Sequence, residues 1–87
     1  MQIVQIALAF FQLYSDKLNE IADWAAAPLE QLFKDLAAEK NIKAGELQLP
    51  FRLMLVGGKF GPPVFDIAAL IGKAETQERI ARALLLL

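Results

Sequence analysis

Arg52 is the lone charge in the ten-residue stretch Leu47–Val56, where Gln48 is the only other polar residue. A guanidinium holds several donors in one rigid plane, so it can bond a base edge and stack on its face, as recognition of single-stranded RNA requires. The same group can instead pair with Asp66, or lay its stem on apolar surface with its head in water. Both readings of Arg52 stand at this level. The segment Gly57-Gly58-Lys59-Phe60-Gly61-Pro62-Pro63 follows at once. It could present backbone amides beside Lys59 and Arg52 to a phosphate or a splayed base, or it could be only a tight turn. It does not have the GxxxxGK[ST] spacing of a nucleotide-binding phosphate loop. Phe60 offers a ring that can stack on a base or pack back on the core.

Other chemistry is narrowly bounded. The chain contains neither cysteine nor histidine, which removes disulfides, thiolate metal sites, imidazole ligands and every triad that depends on imidazole. The carboxylates, from Asp16 to Glu78, alternate with polar or basic residues on helix faces, and no pair is set against a pocket or a nucleophile. We therefore expect no catalytic residue, no metal site and no cofactor in this chain, and no enzyme in it alone.

The elements that must position Arg52 and the loop read as helices. From Gln2 to about Ala22 there is neither glycine nor proline, and apolar residues recur at three- and four-residue spacing. Ile3, Ala7, Phe10, Phe11, Tyr14 and Leu18 make this helix apolar on more than one side, as in a helix packed between neighbours. Pro28 suits the first turn of a second helix, whose stripe is Leu29, Leu32, Phe33, Leu36 and Ala37 and which should stop near Asn41. Lys43-Ala44-Gly45-Glu46 reads as a short turn. The stretch Leu47–Val56 alternates in part like a strand, but Pro50 suits a helix start and Gly57 a helix end, so a short helix is expected. After the loop, Val64, Ile67, Ala68 and Ile71 form a short helix ended by Gly72, and a last helix runs from about Ala74 to Leu85 with Ile80, Ala83 and Leu84 inward. The fold class is all-α: a small orthogonal bundle of about five helices, in one domain.

Hydrophobic residues make up 56% of the 87, with a net charge of -1. Ile3, Val4, Ile6, Leu8, Phe10 and Phe11 at one end and Leu84 to Leu87 at the other exceed what one small core hides, so some should face a neighbour or another copy of the chain. No apolar run approaches the ~20 residues of a membrane span, and the N-terminus does not read as a signal peptide. The cytoplasm is the expected compartment.

The string from Ile42 to Leu84, IKAGELQLPFRLMLVGGKFGPPVFDIAALIGKAETQERIARAL, resembles a family pattern: a lysine-glycine turn, PLRxALTG, a loop, GPxLFE, an apolar helix, LGKEE and a terminal RL..AL. The ordered set Pro50, Arg52, Gly57, Pro62, Phe65, Asp66, Gly72, Lys73 and Arg79 carries the resemblance, which is to the C-terminal anticodon-binding domain of bacterial-type glutamyl-tRNA synthetases. It covers about half the chain densely, and the second helix with the preceding Trp24 more loosely. The resemblance implies a helical cage holding anticodon bases turned out of their stack. It places an anticodon contact at Arg52 and lines the pocket with Gly61, Pro62, Pro63 and Val64, and Lys59 and Phe60 are added from the loop itself. It also implies that residues 1–87 are a fragment of an ATP-dependent glutamate–tRNA ligase whose catalytic domain, with its ATP and magnesium, lies elsewhere. The implied partners are the tRNA(Glu) anticodon loop and the preceding domains of the synthetase, with neither membrane nor DNA; self-association of the fragment stays open. The sequence departs from the pattern at Val56, where the family has threonine, and at Gly61 before the loop proline, which leaves base preference open. The near-neutral charge and apolar ends motivate an alternative, a helical protein–protein interaction module that keeps the scaffold without RNA binding.

Overall fold

The structure, a computed structural model, describes residues 2–58 and 61–86, with side chains from residue 5 onward. Expectations about the side chains of Ile3 and Val4 and about Leu87 lie outside the described residues. The elements are α1 (Gln2–Lys17), a 3-10 turn (Leu18–Glu20), α2 (Ala26–Glu39), α3 (Ala44–Val56), α4 (Val64–Ile71) and α5 (Lys73–Leu85), with no strand among the described residues. No described helix is long and apolar enough to cross a membrane.

α1 ends earlier than the sequence suggests, because its inward face ends at Leu18. That residue is fully buried, whereas Asn19 and Glu20 are exposed. The 3-10 turn, closed by the Ile21 amide on the Leu18 carbonyl at 3.2 Å, bends the chain so that Ile21 and Trp24 pack back on the core. α2 stops as expected. Asn41 takes a left-handed φ of 60°, with the Ile42 amide on the Ala37 carbonyl (2.8 Å) and the Asn41 amide on the Ala38 carbonyl (3.1 Å), the paired closure of a Schellman ending.

α3 corrects the sequence reading most. The expected turn at residues 43–46 is instead its first turn, and Pro50 lies inside the helix rather than at its start. An interior proline costs about 3 kcal/mol. Leu47, Phe51 and Leu55, four residues apart, are all buried, and at about 1.5–3 kcal/mol for each large apolar side chain their burial outweighs that cost.

Aromatic packing joins four of the helices. Phe33 of α2 meets Phe10 (5.0 Å between centroids) and Tyr14 (5.1 Å) of α1, Phe51 of α3 (5.4 Å) and Phe65 of α4 (5.2 Å), mostly edge to face, the geometry aromatic quadrupoles favour. The Tyr14 hydroxyl donates to the Leu29 carbonyl at 2.9 Å, and burial pushes its phenol well above the usual tyrosine range. α5 closes the bundle against α1 and α3, with Ile80 and Thr76 buried.

Candidate nucleic-acid interface

α3 and α4 are the two arms of the loop singled out in the sequence. Phe51 and Phe65, one from each arm, sit 5.8 Å apart in the core, so both arms are fixed by apolar packing before the loop adds anything. The chain leaves α3 at Gly57, whose amide caps the Leu53 carbonyl at 2.9 Å. It re-enters helix after Pro63, whose carbonyl accepts from the amides of Asp66 (3.0 Å) and Ile67 (3.1 Å).

Arg52 follows Phe51 in the chain and is half-buried. Its Nη2 donates to the Pro62 carbonyl at 2.6 Å. It makes no ion pair with Asp66 among the described residues; the tie to the loop carbonyl replaces the pairing considered from sequence. Its Nη1 is buried and has no hydrogen-bond partner among the described residues. Gly61 lies against that nitrogen: a Cβ at this position would be 3.4 Å from Nη1, and the backbone φ of 137° suits glycine alone. Gly61, Pro62 and Pro63 are exposed, whereas the Val64 side chain is buried in the core. Four of the expected site residues, Arg52, Gly61, Pro62 and Pro63, are thus brought together. Val64 can offer only backbone to a ligand. Lys59 and Phe60 lie outside the described residues.

Chemically, the arrangement holds a buried guanidinium donor that has no acceptor among the described residues. A buried donor without a partner costs about 1–3 kcal/mol.

Two braces around this loop were not read from the sequence. Arg79 of α5 donates from Nη1 to the Leu55 carbonyl at 2.6 Å and from Nε to Glu75 at 2.8 Å, so α5 grips the last turn of α3. At the far end of α4, the Ala68 carbonyl accepts from the Trp24 indole at 3.0 Å and from the Thr76 hydroxyl at 3.4 Å. The presence of Trp24 and Arg79 in the resemblance pattern was the available signal, but neither spacing nor residue type names a carbonyl partner 24 or 44 residues away.

The fold is an all-α module that holds Arg52 against a glycine–proline loop between two helices. Comparison with known proteins gives the family: the model described as an anticodon binding domain matches residues 3–84, and the chain belongs to that family. It is 35% identical to the glutamate–tRNA ligase of Geotalea uraniireducens over 85% of this chain and 16% of that protein. It is 43% identical to the glutamate–tRNA ligase of Flavobacterium psychrophilum over 77% of this chain and 13% of that protein. The crystal structure of a glutamate tRNA ligase from Elizabethkingia meningosepticum, in complex with its amino acid, superposes with a TM-score of 0.84 at 32% identity, covering 90% of this chain and 15% of that one. The chain therefore spans about one sixth or less of the length of these relatives.

Proposed function

We propose that this chain reads the anticodon loop of a glutamate-specific tRNA, as the C-terminal helical domain of a longer cytoplasmic glutamate–tRNA ligase. The observation that carries the reading is the Arg52 guanidinium, tied to the loop through Nη2, with a buried Nη1 beside Gly61 that has no partner among the described residues. In this reading Arg52 donates to an acceptor on an unstacked base. Gly61 admits the base, Pro62 and Pro63 hold the loop open, and Val64 contributes backbone alone. Lys59 adds positive charge toward phosphate, and Phe60 supplies a stacking face. ATP and magnesium act in the ligase's catalytic domain, and this chain contributes no reacting group. The exposed Ile6, Leu70, Leu85 and Leu86 fit a surface met by the ligase's preceding domains.

With a net charge of -1, phosphate neutralisation adds little, so affinity for an isolated stem-loop should be weak and should rest on the base contact. Fluorescence anisotropy with a labelled glutamate anticodon stem-loop tests this. Losing a hydrogen bond from a charged group, worth about 1.5–3 kcal/mol, weakens binding roughly tenfold to a hundredfold, and that is expected of Arg52→Ala. Equal affinity of wild type and Arg52→Ala, or equal affinity for a scrambled loop, would remove the basis of the reading.

A further inference from the structure

Arg79 lies outside the anticodon-facing loop, yet it holds the helix end from which that loop departs. The last carbonyls of a helix have no partner within the helix, and Leu55 is one residue before the end of α3. Leu55 itself is buried in the core, but the residues on either face of this last turn are not. Leu53 and Val56 are each 45% exposed, and an open cleft of about 570 Å³ lies between the last turn of α3 and α5, lined by Leu53, Val56, Glu75, Arg79, Arg82 and Leu86 among others. Arg79 is the side chain that crosses it, donating to the Leu55 carbonyl, while Glu75 one turn earlier on α5 holds its Nε. Arg82 lines the same cleft but, among the described residues, pairs with Glu78 alone, on its own helix.

We propose that Glu75 and Arg79 form a positioning brace for the anticodon site: they fix the last turn of α3 and with it Gly57, so that the loop meets Arg52 in the binding geometry. The proposal rests on the anticodon-reading function above. Without the brace, α3 frays locally at Val56 and Gly57 while Leu55 and the aromatic core stay packed. The fraction of molecules with a competent loop falls, and apparent affinity falls by the same factor.

Two controls separate positioning from charge. Arg79→Gln and Arg82→Gln remove the same charge from the same cleft, so any general loss of attraction to RNA is common to both. Glu75→Gln removes a negative charge, which by long-range electrostatics alone should tighten RNA binding. The full chain is titrated with the glutamate anticodon stem-loop, and exchange of the Gly57 amide, which bonds the Leu53 carbonyl, is followed by NMR. The expected result is about tenfold weaker binding for Arg79→Gln, in line with loss of one charge-assisted hydrogen bond. Arg82→Gln should stay within about twofold, being a surface pair, and Glu75→Gln should weaken binding a few-fold despite its more favourable charge. Gly57 exchange should accelerate in Arg79→Gln and Glu75→Gln while the Phe33 and Phe51 amides stay protected. Equal losses in Arg79→Gln and Arg82→Gln, tighter binding by Glu75→Gln, or unchanged Gly57 exchange would overturn the brace. Accelerated Gly57 exchange in a chain whose wild type binds no anticodon loop would overturn the RNA reading instead. If Arg79→Gln does not fold, the Glu75→Gln and Arg82→Gln pair decides the question alone.

Discussion

Replacing Arg52 with alanine separates a binding residue from a structural one, because two effects of comparable size oppose each other there. The substitution removes the hydrogen bond from Nη2 to the Pro62 carbonyl. A charged donor of this kind contributes about 1.5–3 kcal/mol when buried, and for a half-exposed side chain solvent screening brings it to about 1 kcal/mol. The substitution also removes the buried Nη1, which has no partner among the described residues, relieving a penalty of about 1–3 kcal/mol. The net change in stability should lie between about zero and 2 kcal/mol in favour of the variant. Truncation of Phe33 at the centre of the ring cluster should instead cost about 3–5 kcal/mol. Urea unfolding followed by Trp24 emission measures this directly, since Trp24 is the sole tryptophan and its indole reports the docking of α4 through the Ala68 carbonyl. A loss above about 3 kcal/mol for Arg52→Ala would refute the reasoning, because it would make Arg52 a residue that holds the fold rather than one held ready for a ligand.

Three other outcomes follow from the geometry. The lone tyrosine, Tyr14, ionises above its ordinary value because burial disfavours the phenolate. The unfolded chain then loses that proton near pH ~10 while the native chain keeps it, so this contribution is intact below pH ~10 and stability falls above it by up to about 1.4 kcal/mol per pH unit. Phenolate absorbance should therefore appear only with unfolding, and an ordinary titration of the folded chain would contradict the burial. Gly61→Ala forces a non-glycine residue to a φ of 137° and should cost about 1–3 kcal/mol; an unchanged thermal melt would mean the loop does not hold this conformation. Asn41→Gly, at a φ of 60°, should raise stability by about 0.5 kcal/mol, because glycine takes the left-handed conformation without steric penalty; a lower melting temperature would contradict the α2 ending.

Helix ends marked by a residue with a conformational reason to stop are legible in the sequence: Asn41, Gly57 and Gly72 each fall where a helix finishes. The start of α3 is not, because Gly45 and Pro50 both argue against helix locally. What overrides them is the shared burial of Leu47, Phe51 and Leu55, a tertiary effect that local propensity does not contain. The end of α1 is hidden for the converse reason, since nothing between Lys17 and Ala22 breaks a helix and the bend answers to where Leu18 and Trp24 pack. At the site, Arg52 and the glycine–proline loop stand out as an isolated charge followed by a concentration of conformationally special residues. The direction of Val64 does not, because the residue after Pro63 can face the core or the loop, and only the packing of α4 decides. The Arg79 brace is equally invisible, since an arginine four residues after a glutamate reads as a surface pair until the Leu55 carbonyl is found beside it.

The most direct test of the central claim is a chemical-shift titration of the 87-residue chain with the glutamate anticodon stem-loop at low salt, against a scrambled loop. The account predicts perturbations confined to Arg52 and residues 57–64 for the cognate loop alone. Perturbations that are identical for the two loops, or that fall on α1 and the end of α5 and leave Arg52 unmoved, would contradict it.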